Sequence, residues 1–279
     1  MRVLLLGASG FVGNHLAPAL RERGDVVTTA SLRDPGAAAN RATGCDAIVN
    51  LAGESLAQRW TPSVKRRIAE SRIDSPRRFL QALSGLDHRC TAYVSASAIG
   101  YYGTSESETF VESSPPGSDF VANVCEGWER EALRGAELGM RVAIVRTGIA
   151  LGTDGGALAK ILPPFRAGMG GVVGNGRQWF SWIHIGDLVR IYLMAIDAIE
   201  GAVNASAPNP VRNADFTNQL GEALHRPAKL PVPTFALRAL LGEGAEIVLR
   251  GQRVLPQRTQ ELGYRFEFER LTDALANLL

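Results

Sequence analysis

The sequence has no apolar run that approaches the roughly 20 residues needed to cross a membrane, and its first apolar stretch covers only residues 3 to 6. It has no basic block either, because 30 lysines and arginines are balanced by 28 aspartates and glutamates, for a formal charge of +2. Nucleic acid or an anionic membrane requires a concentrated basic face. The composition therefore disfavours both partners, and since no charged leader precedes a cleavage site, it favours a cytoplasmic protein.

Cysteine and histidine are scarce. Cys45, Cys90 and Cys125 form no CxxC pair, and the four histidines share no spacing typical of metal ligands. We therefore expect neither a disulfide nor a metal site. Glycine, by contrast, is abundant at 30 residues, which indicates many tight turns or close backbone approaches.

Short apolar runs alternate with helical patterns across the first 150 residues. Strands are predicted at residues 2–6, 26–29, 47–51, 92–95 and 141–146. Segment 31–41, rich in alanine, is the exception and is interpreted as a loop or a weak strand. Because strands and helices alternate, the fold class is α/β, with a parallel sheet covered on both faces.

The pattern changes after Gly148. Glycine pairs become frequent, Pro163 and Pro164 interrupt a helical pattern, and a final helix is predicted from Leu271. We expect a nucleotide-binding domain over residues 1–151 and a smaller α+β capping region over residues 152–279. Within the second region, residues 182–205 are expected to return to the first sheet.

Three glycines, Gly7, Gly10 and Gly13, lie between the first predicted strand and the first predicted helix. They permit a tight turn and let a pyrophosphate approach the helix N-terminus, where free amides and the helix dipole favour an anion. In this context the motif predicts dinucleotide binding, and its spacing is that of short-chain dehydrogenases. Pro18 inside the following helix should kink it, and we have no functional account of this residue.

The end of the second strand indicates which dinucleotide is bound. An acidic residue there would bind the ribose hydroxyls of NAD, but this chain has Ser31 and Arg33, which suit a 2′-phosphate. Asp34 beside them leaves NAD open, and Arg33 could equally be a solvated loop residue. The pattern favours NADP(H).

Motifs spread over the whole chain resemble those of the extended short-chain dehydrogenase/reductases, the NAD-dependent epimerase/dehydratase family. The resemblance is closest to the atypical branch described only as epimerase family proteins. The motifs are Asn50-Leu51-Ala52-Gly53-Glu54, Ser71-Arg72, Ser95-Ala96-Ser97-Ala98-Ile99-Gly100-Tyr101-Tyr102-Gly103, Trp128-Glu129, Arg146-Thr147-Gly148 and Trp182-Ile183-His184-Ile185-Gly186-Asp187. The resemblance implies a Rossmann-type doubly wound sheet, NADP(H) as cofactor, and cofactor contacts that include Arg72 and the backbone near Ile149. The full predicted set is Gly7, Gly10, Phe11, Val12, Gly13, Ser31, Arg33, Leu51, Ala52, Gly53, Arg72 and Ile149.

The catalytic pattern of the family is incomplete. Ser97 matches its serine, but Val121 and Cys125 occupy the places of the Tyr-x-x-x-Lys pair, in which lysine lowers the pKa of the phenol. Tyr101 and Glu54 are the remaining candidates for proton transfer, although packing explains a tyrosine there, and a helix cap or a surface role explains the glutamate.

These observations predict an NADP(H)-binding, epimerase-like oxidoreductase that acts on a small polar substrate, of which a nucleotide sugar is one example. The alternative is a catalytically silent NADP(H) sensor or regulatory protein. The sequence leaves a homo-oligomer open.

Overall fold

The structure is a computed structural model that describes all 279 residues. The strands in chain order are β1 (Arg2–Leu6), β2 (Val26–Ala30), β3 (Ala47–Asn50), β4 (Ala92–Ala98), β5 (Thr109–Phe110), β6 (Arg141–Thr147), β7 (Ile149–Leu151), β8 (Trp179–Phe180), β9 (Trp182–His184), β10 (Gly201–Ala205), β11 (Val211–Arg212) and β12 (Arg253–Val254). The α-helices are α1 (Phe11–Glu22), α2 (Pro35–Ala42), α3 (Pro62–Arg72), α4 (Asp74–Ser84), α5 (Phe120–Leu133), α6 (Gly156–Arg166), α7 (Ile185–Asp197), α8 (Asn213–Ala223), α9 (Thr234–Leu241), α10 (Glu246–Leu249), α11 (Gln257–Glu261) and α12 (Leu271–Leu278).

Six of the strands form one parallel sheet in the order β10-β6-β4-β3-β1-β2. Successive residues of β1 point to opposite faces, and both faces are covered: Val3 and Leu5 pack with α1 and α7, whereas Leu4 and Leu6 pack with α2 and α4. The strand order reverses at β1, which has β2 on one side and β3 on the other. Ligands of such sheets bind at this reversal, beyond the carboxyl ends of the strands. The predicted α/β class with a Rossmann-type sheet is confirmed.

One predicted element is wrong. Residues 35–42, expected to be a loop or a weak strand, form helix α2. The Asp34 carboxylate caps it by accepting a hydrogen bond from the N–H of Ala37 at 3.0 Å, and Pro35 begins it with a suitable fixed φ. Its buried alanines, among them Ala38 and Ala42, supply the apolar stripe that seats it on the sheet.

Prolines do not end the helices in which they lie. Helix α6 contains both Pro163 and Pro164, which the sequence suggested would interrupt a helix, and α1 continues past Pro18 to Glu22. Each proline removes one backbone donor. In α6 the side chains of Leu158, Leu162 and Phe165 are buried in a hydrophobic cluster separate from those on the faces of the central sheet, and this packing stabilises the helix.

The last part of the chain packs against the sheet domain at several places, among them Asp187 and the loop after β3. Asp187 at the start of α7 is fully buried and accepts hydrogen bonds from the Tyr264 hydroxyl and from the N–H groups of Glu267 and Phe268. At the second place, the N–H of Trp60 donates to the carbonyl of Leu241 at 3.0 Å. The loop after β3 is therefore held by the C-terminal region. No helix of the molecule combines the length and the apolar character needed to span a bilayer.

Candidate functional site

A cavity of about 300 Å³ lies where β1, β3, β4 and β6 end. Gly7, Leu51, Ser97 and Thr147 follow or end these strands and line it. The start of α1 closes one side, and the inward face of α5 closes another. The sheet topology therefore places the cavity at the edge where ligands of doubly wound folds bind.

The glycine turn is built by the main chain. Gly7 has a φ of +82°, and a Cβ there would lie 2.8 Å from the backbone N of Ala52. A Cβ on Gly13 would lie 2.6 Å from the carbonyl oxygen of Gly7, whereas one on Gly10 would meet only that oxygen, at 3.3 Å. The N–H groups of Phe11 and Val12 have no hydrogen-bond partner in the chain. The turn therefore presents free donors at a helix N-terminus, which fits a pyrophosphate.

The ring of Phe11 packs against the glycine-rich segment 152–156 and does not point at the free amides. Cβ atoms added to Gly152, Gly155 or Gly156 would lie within 3 Å of this ring, so these glycines make room for it. The His15 side chain, which packs edge-on against the ring, hydrogen-bonds Asp154 at 3.0 Å. Phe11 therefore attaches the loop after β7 to the turn, a contact that the sequence reading missed.

The end of β2 lies outside the cavity wall. Ser31 and Arg33 are both exposed, and the Ser31 hydroxyl accepts a hydrogen bond from the N–H of Arg33 at 3.2 Å. The Arg33 guanidinium has no ion-pair or hydrogen-bond partner, while the neighbouring Asp34 is engaged as the cap of α2. Arg41, which donates to the carbonyl of Thr29 at 2.8 Å, adds a second cation that the sequence reading missed.

Arg72 lies at the end of α3, and its guanidinium covers Gly53, where an added Cβ would be 2.9 Å from a guanidinium nitrogen. It lies 5.2 Å above the ring of Trp128 and forms no salt bridge. Burial lowers the pKa of Arg72. A partly buried cation without a carboxylate, beside a cavity with free backbone donors, suits a phosphate group.

Ser97, at the end of β4, belongs to a buried polar network. Its hydroxyl donates to the Glu129 carboxylate on α5 at 2.6 Å. Arg146 on β6 donates to both oxygens of the same carboxylate, each at 2.8 Å. The three residues are only 3%, 7% and 5% exposed. Although burial opposes the charge of Arg146, the hydrogen bonds and attraction of Glu129 outweigh it and raise the pKa of Arg146.

Two tyrosines continue this network away from the cavity. Arg146 donates to the Tyr102 hydroxyl at 2.9 Å, which in turn donates to the Asn204 side chain at 2.7 Å. The ring of Tyr101 stacks on Arg146, with the guanidinium carbon 3.6 Å from the ring centre. Burial raises the pKa of Tyr101 despite the nearby charge of Arg146. Tyr101 does not line the cavity, and its role in proton transfer stays a prediction.

Val121 and Cys125 both face the cavity from α5. The positions that the resemblance predicted for a phenol and its lysine thus point at the site but carry an isopropyl group and a thiol. Burial raises the pKa of Cys125 to about 12, so the thiol is not a base at neutral pH. The neighbouring apolar wall consists of Leu56, Ile68, Phe120, Val124 and Trp128, which the sequence reading did not identify.

Glu54 lies outside the cavity wall. Its carboxylate accepts a hydrogen bond from Gln58 at 3.0 Å and a longer one from Arg67 at 3.5 Å. The hydrogen bond from Gln58 is the main cause that holds the pKa of Glu54 below its ordinary value, and Arg67 adds to it. A low pKa makes a weak base, so this placement gives its predicted catalytic role no support.

The predicted cofactor residues divide by location. Those that line the cavity are Gly7, Gly10, Phe11, Val12, Gly13, Leu51, Gly53 and Arg72. Ala52 lies directly behind Gly7, and Ile149 pairs with Trp182 in the short sheet beside the site. Ser31 and Arg33 lie at the surface beyond the end of β2.

Comparisons with known proteins show what the whole chain is similar to. A chloroplastic homologue of epimerase family protein SDR39U1 from Arabidopsis thaliana is 42% identical, over all of this chain and 87% of its own length. Epimerase family protein SDR39U1 of Mus musculus is 38% identical over the full length of both chains. The crystal structure of human epimerase family protein SDR39U1 (isoform2) with NADPH superimposes with a TM-score of 0.91 at 35% identity, and covers 100% of this chain and 99% of that one.

Two family models match the sequence. Residues 232–278 match a domain of unknown function, DUF1731, which comprises α9 to α12 and their connections. Residues 3–207 match the NAD dependent epimerase/dehydratase family and include the whole central sheet. Since this model and the full-length relatives agree, the chain belongs to the NAD dependent epimerase/dehydratase family.

Proposed function

We propose that this chain binds NADP(H), with its pyrophosphate at the turn formed by Gly7, Gly10 and Gly13. The observation that carries the proposal is the pairing of unsatisfied N–H groups at the start of α1 with Arg72, a partly buried cation that has no carboxylate partner. Both features suit an anion, because the two N–H groups have no acceptor and Arg72 makes only long hydrogen bonds, at 3.4 Å, to the Ile68 carbonyl and the Ser71 hydroxyl. That the human relative was crystallised with NADPH supports the same cofactor here.

The preference for NADP(H) over NAD(H) rests on the end of β2. Arg33 is an unpaired, exposed cation there, and Ser31 offers a hydroxyl beside it. Asp34, which could have bound ribose hydroxyls, is already used to cap α2. The charges at this end therefore favour a 2′-phosphate.

The activity we propose is that of an NADP(H)-dependent oxidoreductase on a small molecule, in which the nicotinamide supplies hydride exchange. Ser97 is the residue that would contact the second ligand, because it alone of the three predicted catalytic residues lines the cavity. Glu129 and Arg146 hold it in place. The small polar substrate expected from the sequence, such as a nucleotide sugar, is one class to be tested.

A second candidate function is a catalytically silent NADP(H) sensor. Val121 and Cys125 at the cavity wall favour it, because neither can replace a phenol activated by lysine. Loss of a positioned acid or base typically costs about 10² to 10⁴ in rate.

One experiment separates the two functions. NADPH binding is measured by fluorescence titration. Turnover is then followed at 340 nm, with NADPH for a panel of carbonyl compounds and with NADP⁺ for alcohols and nucleotide sugars, and epimerisation of the sugars, which consumes no cofactor, is followed by NMR. We expect NADPH to bind, and turnover of at least one panel member to be lost in Ser97→Ala. Binding without turnover of any member would favour the sensor, and no binding of NADPH would overturn both proposals.

A further inference from the structure

We propose that the indole N–H of Trp128 is a binding group of the cavity, and that it donates a hydrogen bond to the same anionic group that Arg72 binds. The inference rests on the proposed function, in which that group belongs to NADP(H). It adds a cofactor residue outside the set that was predicted from the sequence.

Trp128 differs from the other three tryptophans in the partner of its indole N–H. The others donate this N–H to main-chain carbonyls, namely Trp60 to Leu56 at 2.9 Å, Trp179 to Glu106 at 3.0 Å and Trp182 to Asn209 at 3.2 Å. Trp128 is only 5% exposed, and its N–H has no hydrogen-bond partner in the chain. A buried donor without an acceptor costs free energy, and such groups are rare in native proteins. The exception therefore indicates that a bound molecule supplies the acceptor.

The location of Trp128 connects this donor to the cofactor cavity. Its side chain lines the cavity from α5, and the Arg72 guanidinium lies 5.2 Å from the centre of a ring of the indole. The same guanidinium covers Gly53, and the preceding residue, Ala52, meets the glycine turn at Gly7. A ligand that reaches from the turn to Arg72 is therefore separated from Trp128 by one side chain.

That side chain, Arg72, is weakly held. Its hydrogen bonds to the Ile68 carbonyl and the Ser71 hydroxyl are both 3.4 Å, longer than the roughly 2.7–3.2 Å of ordinary N–H···O bonds. Little interaction is lost when the guanidinium turns toward an anion. This movement gives the ligand access to the indole N–H, which is buried as long as the cavity holds no ligand.

The chemistry of the two groups selects the ligand atom. The indole N–H and the guanidinium are donors only, with no acceptor of their own. The group that they share must accept from both, and the charge of Arg72 favours a negative one. A phosphate oxygen meets both requirements, whereas the proton of a hydroxyl would be left facing two donors. We therefore assign Trp128 to a phosphate of the bound cofactor.

The first measurement observes the N–H itself by NMR. Each of the four tryptophans gives one indole signal in a ¹⁵N–¹H correlation spectrum, and Trp128→Phe identifies the signal of Trp128. The labelled protein is titrated with NADPH. We expect the Trp128 proton to move downfield more than the other three, because a new hydrogen bond to an anion deshields it while the others keep their carbonyl partners.

The second measurement is the dissociation constant of NADPH, obtained by calorimetry. Trp128→Phe keeps an aromatic ring beside Arg72 and removes the donor, so it should weaken NADPH about tenfold. Trp179→Phe is the matched control and should leave the affinity unchanged, because its N–H already has a partner and it does not line the cavity. Arg72→Met should also weaken NADPH. The double variant should lose less than the product of the two single losses, because the two donors share one group.

Three results would overturn the inference: a Trp128 signal that NADPH leaves in place, wild-type affinity in a folded Trp128→Phe protein, and a double variant whose loss equals the product of the single losses. If Trp128→Phe does not fold, phenylalanine variants of the other three tryptophans assign the fourth signal by elimination, and the NMR titration decides. Failure of the wild-type protein to bind NADPH removes the proposed function, whereas NADPH binding with any of the three results removes only the inference.

Discussion

The two ends of the cavity are built differently. At the glycine turn the site consists of main-chain atoms contributed by a segment of seven residues, from Gly7 to Gly13, and its donors are backbone N–H groups. At the other end the site consists of side chains from β4, α5 and β6, with Ser97 bound to Glu129, 32 residues away, and Glu129 bound to Arg146, 17 residues further on.

Under the proposed function, this difference would separate cofactor binding from catalysis. The main-chain end is the turn predicted to bind a dinucleotide, whereas the side-chain end holds Ser97, predicted to be catalytic, and carries neither a phenol nor a lysine at Val121 and Cys125. A site built from backbone atoms requires glycine at a few positions, because a side chain there would fill the space of the ligand. A side-chain network requires every one of its residues, because removal of one leaves its buried partner without a hydrogen bond. Variants at each end of the cavity should therefore affect different quantities, namely the free energy of unfolding at the side-chain end and the affinity for NADPH at the main-chain end.

The largest effect should come from the side-chain end. Glu129→Ala leaves the buried guanidinium of Arg146 without its carboxylate, which should lower the free energy of unfolding by about 3–5 kcal/mol. Urea unfolding followed by circular dichroism measures this. The double variant Glu129→Leu with Arg146→Met removes both charges and should lose less than the single variant. A single variant within about 1 kcal/mol of wild type would contradict the structural importance of this pair.

At the main-chain end, Gly10→Val should lower the affinity for NADPH more than about 100-fold, while the fold is retained. A Cβ there meets only the Gly7 carbonyl oxygen, at 3.3 Å, so the added side chain projects into the space needed by the pyrophosphate. NADPH fluorescence measures the affinity, and circular dichroism shows whether the fold is retained. Gly44→Val, at a site with open space around it, is the control and should change neither. Wild-type NADPH affinity in a folded Gly10→Val protein would place the cofactor elsewhere.

A variant of Arg33 tests whether the surface beyond the end of β2 also contributes to cofactor binding. Arg33→Ala should weaken NADPH about 10- to 100-fold and leave NADH unchanged, because a charge-assisted contact to the 2′-phosphate contributes roughly 1.5–3 kcal/mol. Calorimetry with both cofactors measures this. Arg270→Ala, which removes another exposed arginine in the C-terminal region, is the matched control. Equal losses for the two cofactors would refute the assignment.

The smallest effect concerns Glu131, the third glutamate of α5, which binds Arg77 at 2.8 Å on the side of the helix away from the cavity. The hydrogen bond from Arg77 holds the pKa of Glu131 below its ordinary value of 4.5. A lowered folded-state pKa means that the stabilisation is present above the unfolded pKa and is lost as pH falls through the folded one.

We therefore expect Glu131→Gln to cost about 1 kcal/mol at pH 7 and to differ less from wild type below pH 4, since Arg77 is partly exposed and its charge is screened. Unfolding midpoints in urea between pH 3 and pH 7 give both values. A difference between the two proteins that grows as the pH falls would contradict the ion pair as the cause. Compared with Glu129→Ala, this variant shows how much burial adds to the same kind of pair.

The sequence by itself determined the features that depend on residues close together along the chain. The alternation of apolar strands with helical patterns was enough for the α/β class and its parallel sheet, and the strand–turn–helix context was enough to locate the glycine turn. The resemblance to the family also predicted that Val121 and Cys125 stand at the places of the Tyr-x-x-x-Lys pair, and the structure places both residues at the cavity wall. Helix α2 was missed because its buried alanines are too small to produce a clear apolar periodicity.

Only the tertiary structure decided which side chains meet. That Ser97 directs its proton at Glu129, that Phe11 packs on Gly155 and that Glu54 is turned outside the cavity wall depend on contacts between segments that are distant along the chain. Such contacts form because parallel strands bring their carboxyl ends to one edge, while the helices between them carry the intervening residues to the sheet faces. Local sequence patterns reflect the period of a strand or helix, but the partner of a polar side chain is set by the packing of those elements.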